Sequence, residues 1–322
     1  MKTITRIGVL TSGGDAPGMN AAIRAVVRTA IYHGYQVVGI RRGFAGLLAG
    51  DMEPLELGSV ADIIHRGGTV LRTARSDEFA TAAGQALAYE HLLATGIQGL
   101  VVIGGDGSLQ GAEALARSGM PVIGVPATID NDVAGTDLTI GFDTAINTAV
   151  AAIDRIRDTA TSHERTFIIE VMGRHSGHIA VAAGLAAGAE SIVVPEALVT
   201  NRQICERLQR GFQRGKRHSI IVVCEGAGSG YAIAEHIQAC TGQQPRVTVL
   251  GYIQRGGSPT AQDRILASRM GYHAVELLRQ SRANQMVAVQ RGEIISLPMS
   301  EVAGRPHILD PELLQLSEIL SI

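Results

Sequence analysis

The chain has 322 residues, of which 46% are apolar and 18% charged, and its formal net charge is −2. This length and apolar content suit a globular protein with two packed domains. The near-zero charge argues against a nucleic-acid-binding or polybasic membrane surface.

In chain order, short apolar runs predict buried strands. They fall at Ile7–Leu10, Val37–Ile40, Leu100–Ile103, Val122–Val125, Phe167–Val171, Ile192–Val194, Ile220–Val223 and Val247–Leu250. Between them, helical patterns cover Met19–Tyr32, Ala82–Ala94, Gln110–Arg117, Ala145–Thr159, Gln203–Arg214 and Ala261–Arg279. Strand, turn and helix in alternation predict an α/β fold with largely parallel sheet. In such folds ligands sit beyond the carboxyl ends of the strands.

Residue usage narrows the chemistry. Lys2 and Lys216 are the only lysines among 28 basic residues. A Walker phosphate loop needs Gly-Lys-Ser/Thr, which does not occur, so any phosphate handling falls to arginines and backbone amides. The dinucleotide pattern GxGxxG is also absent, which disfavours hydride transfer. Tryptophan is missing and aromatics are 3%, so stacking platforms for single strands are not expected. Three cysteines, Cys205, Cys224 and Cys240, lack metal-site spacing, and their odd number argues against a disulfide framework. With no secretory leader pattern and no apolar run of ~18 residues, a reducing cytoplasm is expected.

Five strand-end segments carry the candidate chemistry. After the first strand, Gly13-Gly14 leads to a helix start near Met19, and bare amides there can hold phosphate. After Leu100–Ile103 comes Gly104-Gly105-Asp106-Gly107-Ser108. Asp106 can hold Mg²⁺ there, and Ser108 can cap the next helix or meet phosphate. Asp130 and Asp132 follow Val122–Val125 and share a face if the segment is extended. One can take a hydroxyl proton while the other meets a cation. Arg174 and Arg255 stand at two further strand ends, each offering a planar fork to phosphate oxygens.

TSGGDAPGMN, GGDGS, TIDND, GFDTA, EVMGR and QRGGSP, in this order, resemble the bacterial ATP-dependent 6-phosphofructokinases from about Arg6 to about Leu278. The resemblance implies two Rossmann-like α/β domains with the active site in the cleft between them. The ATP domain would comprise 1–140 plus about 254–305, and the fructose 6-phosphate domain about 141–253 plus 306–322. It also implies transfer from MgATP to the 1-hydroxyl of fructose 6-phosphate, with a glycolytic, cytoplasmic role.

By that resemblance Asp130 is the base, with Arg174, Arg75 and Thr128 assisting. Asp106 is the Mg²⁺ site and Asp132 lies near the metal. ATP falls to Gly14, Arg75, Ser76, Gly105, Asp106, Gly107 and Ser108. The sugar phosphate falls to Thr128, Ile129, Asp130, Arg165, Met172, Gly173, Arg174, Glu225, Arg246, Tyr252, Ile253, Gln254 and Arg255. Arg165 and Arg246 would reach across a subunit interface, which implies a homotetramer with composite active sites. An effector site for ADP or GDP as activator and phosphoenolpyruvate as inhibitor is implied at Arg24, Arg28, Ser59, Asp62, Arg157, Gly188, Ala189, Glu190, Arg214, Lys216, Arg217 and His218. The chain departs from the pattern at Ala127, Tyr252, Leu57 and Phe44; in the family a Tyr often packs near the adenine at the last position. Another phosphoryl donor, a related sugar phosphate or a non-catalytic nucleotide binder are the alternatives. Asp106, Asp130 and Arg174 together argue against the last.

Overall fold

The computed structural model describes residues 4–197 and 199–320. The chain divides into two units. The first comprises Met1–Ile129, Val133–Asp143 and Arg255–His307, and the second Asp130–Asp132, Thr144–Gln254 and Ile308–Ile322.

The first unit begins with β1 (Arg6–Ser12), α1 (Met19–Tyr32), β2 (Gln36–Ile40), α2 (Gly43–Ala49) and β3 (Met52–Leu55). It continues through α3 (Ala82–Ala94), β4 (Gly99–Gly104), α4 (Asp106–Arg117) and β5 (Val122–Pro126). Helix α5 (Phe142–His163) leads into the second unit, which holds β6 (Thr166–Val171), α6 (His178–Ala186), β7 (Ser191–Val193), α7 (Asn201–Gln213), β8 (Ser219–Cys224), α8 (Gly230–Thr241) and β9 (Arg246–Val249). The chain returns to the first unit for α9 (Ala261–Arg279), β10 (Gln285–Gln290), β11 (Glu293–Pro298) and α10 (Met299–Val302). Helix α11 (Pro311–Leu320) joins the second.

The first sheet runs β11-β10-β5-β4-β1-β2-β3. Its centre is parallel, while β3 and β11 pair antiparallel at its edges. Every residue of β4 is buried, as the continuous apolar run predicts for a strand covered on both faces. Leu10, Leu100 and Val102 pack with Phe44, Leu47, Leu92 and Leu115 from α2, α3 and α4. Helices α1 and α9 pack on each other and on β4. The approach is close because any Cβ at Gly271 would lie 2.8 Å from the Ala22 carbonyl oxygen. The second sheet, β7-β8-β6-β9, is wholly parallel. Ile168, Ile221 and Val223 meet Ile204, Leu208, Ile233 and Ile237 of α7 and α8. Both units are thus α/β, with largely parallel sheets.

Helix starts follow their caps. Thr81, Thr200, Ser229 and Thr260 each accept a backbone N–H of the first turn, and Thr200 with Gln203 forms a reciprocal capping box. Helix α4 differs from expectation. It starts at Asp106 with Gly105 as its cap, so Ser108 lies inside the first turn and caps nothing.

The cysteine expectation is corrected. Cys205 of α7 and Cys240 of α8 form a disulfide, with Cα atoms 6.3 Å apart, and Cys224 alone is a buried free thiol. An odd count excludes a fully paired set but not one bridge where two helices pack side by side. The bridge spans a sequence separation of 35 residues, and closing a loop of that length is worth roughly 4 kcal/mol. Reduction, or Cys205→Ser, should therefore lower the urea midpoint for unfolding of the second unit. Equal midpoints for oxidised and reduced protein would show that the bridge does not form in solution.

Candidate active site

In the first unit, parallel register aligns three turns. Ser12 pairs with Gly104, and Gly104 with Pro126, so β1, β4 and β5 all end at one sheet edge. Gly104 is sterically obligatory: a Cβ there would stand 2.5 Å from both the Ser108 Oγ and the Ser12 carbonyl oxygen. Gly107 faces open space, and Gly105 stands near the Thr128 side chain. Ala127 continues the edge, its N–H bonding the Gly104 carbonyl at 2.9 Å. The Thr128 carbonyl accepts the Thr139 hydroxyl at 2.7 Å, and Ile129 beside it is buried.

The Asp106 carboxylate sits at the positive end of α4. Its Oδ1 accepts the Gly304 N–H and its Oδ2 the Gln110 amide, each at 2.7 Å. No group of three or more metal-ligating side chains occurs among the described residues. A single oriented carboxylate nonetheless fits Mg²⁺ carried by a nucleotide, since that ion takes one or two protein carboxylates plus phosphate oxygens.

The segment bearing Arg75 and Ser76 is tied to this edge. The Thr73 hydroxyl donates to the Gly13 carbonyl at 2.7 Å, and Thr11 Oγ1 to the Arg72 carbonyl at 3.0 Å. Arg75 is exposed. Ser76 Oγ accepts the Phe79 N–H at 3.2 Å. Arg255, read as a sugar-phosphate residue, lies against the Gly13-Gly14 turn: any Cβ at Gly14 would fall 2.2 Å from its Nη1. One anchor escaped the sequence reading. Asn20 is buried and holds the Arg66 and Gly67 carbonyls and the Val70 N–H. Phe44 is a core residue, 6% exposed and stacked on Phe79 with ring centroids 4.0 Å apart.

The second unit presents its own carboxyl edge. Met172, Gly173 and Arg174 follow β6, and Glu225 follows β8. Arg174 and Glu225 are exposed. Gly173 carries φ +131°, and its N–H reaches Glu225 Oε1 at 3.4 Å. Asp130 and Asp132 are half-buried. They do not lie on an extended segment, because Asn131 between them is left-handed at φ 51°. The alternation expected of an extended pair does not apply. Tyr252 and Ile253 are exposed at 83% and 59%. Gln254 is fully buried and donates to the Gly251 carbonyl at 3.2 Å.

Arg165 and Arg246 stand elsewhere. Arg165 precedes β6 and Arg246 opens β9, so both lie at the amino edge of the second sheet. Six residues of β6 separate Arg165 from the Met172–Arg174 turn, roughly 20 Å of strand. The same edge gathers part of the expected effector set. Glu190 Oε1 pairs with Lys216 Nζ at 2.6 Å and lies 4.0 Å from Arg157 Nη1, while Arg157 also donates to the Ala187 and Gly188 carbonyls. Ala189, next in the chain to Glu190, is buried. His218 reaches Thr161, Arg217 reaches Glu164, and Arg214 bonds the Arg210 carbonyl. In the first unit Arg24 is half-buried, and Arg28, Ser59 and Asp62 are exposed. A cavity of about 860 Å³ in that unit is lined by Arg6, Gln36, Pro54 and Leu57 and contains none of the predicted active-site residues.

The first unit thus gathers glycine turns and one oriented carboxylate at a parallel sheet edge, without a phosphate-loop lysine. The phosphofructokinase family model matches residues 6–278. The ATP-dependent 6-phosphofructokinase of Shouchella clausii (strain KSM-K16) is 60% identical over 317 residues, 98% of this chain and 99% of that protein. That of Bacillus subtilis (strain 168) is 58% identical with the same coverage. Among solved structures, Pichia pastoris phosphofructokinase in the T-state matches with a TM-score of 0.89 at 35% identity, over 99% of this chain and 39% of that chain. The pyrophosphate-dependent phosphofructokinase from Marinobacter aquaeolei matches at 0.86 and 26%, over 96% and 86%. The chain belongs to the phosphofructokinase family.

Gly173→Ala tests the second unit's turn. The new Cβ would lie 2.3 Å from the Ser176 carbonyl oxygen, in a backbone region that side chains rarely adopt. The expected cost is at least ~2 kcal/mol, read as a fall in the denaturation midpoint of the second unit. An unchanged midpoint would contradict the left-handed turn.

Proposed function

We propose that this chain transfers the γ-phosphoryl group of ATP to the 1-hydroxyl of D-fructose 6-phosphate, giving D-fructose 1,6-bisphosphate and ADP. What carries the reading is the three-strand edge where glycine amides and Asp106 stand in for a lysine phosphate loop. The printed names of relatives 58–60% identical over 98% of the chain support it.

The sugar O1 attacks the γ-phosphorus as the bond to the ADP oxygen breaks. The O1 proton passes to the Asp130 carboxylate as the hydroxyl becomes nucleophilic. Arg75 and Arg174 neutralise charge spreading over the transferred group. Loop amides at Gly14 and Gly105–Ser108 hold the nucleotide phosphates, and Gly107 leaves open space beside them. Asp106 would hold Mg²⁺, which supplies charge neutralisation on the phosphate oxygens when bound. Thr128, Met172, Gly173, Glu225 and the Tyr252 loop orient the sugar phosphate.

The amino-edge position of Arg165 and Arg246, a strand length from Arg174, favours their service to the site of another copy. Composite sites in a homotetramer are part of this reading. So is an effector site at Arg157, Glu190 and Lys216 taking ADP or GDP and phosphoenolpyruvate, and a cytoplasmic place. No described helix is long and apolar enough to cross a membrane.

Asp130→Asn should lower kcat at least ~10²-fold, with little change in the KM for ATP, in a coupled assay of fructose 1,6-bisphosphate formation. Near-normal turnover would refute the base, and activity with pyrophosphate but not ATP would refute the donor. For the effector site, phosphoenolpyruvate should shift fructose 6-phosphate saturation to higher concentration and ADP should reverse the shift. A curve indifferent to both would remove that assignment.

A further inference from the structure

The turn after β6 is fastened at points that the reaction itself does not require. Ser176 is 4% exposed, and its hydroxyl donates to the Asp130 carbonyl oxygen at 2.8 Å. Cys224, fully buried at the end of β8, donates its thiol to the Gly173 carbonyl at 2.8 Å and lies 3.4 Å from the Ser176 carbonyl. The Gly226 N–H reaches the same Gly173 carbonyl at 3.2 Å. These contacts run in series, from the end of β8 through Gly173 to Ser176 and on to Asp130.

We infer that Ser176 and Cys224 are positioning residues, Ser176 fixing the backbone of Asp130 and Cys224 fixing the turn that carries Ser176 and Arg174. The inference rests on the reading of Asp130 as the base. A base must be held at hydrogen-bond reach of the hydroxyl it serves, and Asp130 sits beside a left-handed Asn131, outside the named strands. Ser176 supplies one hydrogen bond to that backbone. The thiol suits a permanent donor. Burial pushes Cys224 up to about 11, with the carboxylates of Glu196 and Glu225 adding to the effect, so the proton stays on sulfur at neutral pH.

The test compares wild type, Ser176→Ala, Ser176→Cys and Cys224→Ala by steady-state kinetics with ATP and fructose 6-phosphate and by amide hydrogen exchange. Loss of one such hydrogen bond predicts an approximately tenfold lower kcat for Ser176→Ala. The KM for ATP stays within about twofold, because uniform binding is untouched. Ser176→Cys, which keeps a weak donor, recovers part of the loss. Exchange rises at 130–132 in Ser176→Ala and at 173–176 in Cys224→Ala, while β6 and β8 keep their protection. Wild-type kcat together with wild-type exchange in Ser176→Ala overturns the inference. If the wild-type protein itself makes no fructose 1,6-bisphosphate, the functional reading fails, and exchange at 130–132 alone decides whether Ser176 holds that segment.

Discussion

Parallel hydrogen bonding between β1, β4 and β5 is the constraint on which the edge bearing Gly104, Asp106 and Thr128 depends. In a parallel ladder every strand ends at the same side, so each turn that follows is delivered to one place. Gly13-Gly14, Gly105–Ser108 and Thr128 are far apart in sequence and adjacent by register. The close spacing of these backbones leaves no volume for a side chain at Gly104. Asp106 then gains its orientation from the helix that begins there and from the Gly304 amide, which arrives from the far end of the chain.

The second sheet uses its two edges differently. Its carboxyl edge carries Arg174, Glu225 and the Gly173 turn. Its amino edge carries Arg165, Arg246 and the Arg157–Glu190–Lys216 cluster. Glu190 offsets part of the positive charge there, so an anion arriving at Lys216 would compete with a carboxylate already in place. Such competition would make anion binding at that edge sensitive to small rearrangements of the Glu190 side chain.

Much of this was legible in the chain. The eight apolar runs all became strands, because burial leaves a continuous apolar signal in most of them, while β9 is an edge strand whose residues are half-buried or exposed. The short strand β3, helix α2 and the β10–β11 hairpin were not read, since brief amphipathic or edge segments give little periodicity. Ser108 looked like a cap because it follows a glycine run, but Gly105 had already supplied the cap and the helix began earlier. Asp130 and Asp132 do not form an alternating pair because Asn131 between them is left-handed, a conformation asparagine tolerates and the spacing alone does not signal. The Cys205–Cys240 bridge was invisible to counting because pairing depends on α7 lying against α8. Asn20 and Ser176, both buried hydrogen-bonding anchors, carry no local signature that separates them from ordinary polar residues.

The bridge has a further consequence. It closes a covalent ring that contains most of α7, all of β8 and most of α8. Cys224, Glu225 and Gly226, which grip the Gly173 turn, lie inside that ring. A single peptide-bond cut anywhere between the bridged cysteines would leave both fragments joined. Local fraying of α8 likewise cannot carry its anchored end away from α7. The segment that holds the Arg174 turn is therefore tethered twice, once by the sheet and once by sulfur.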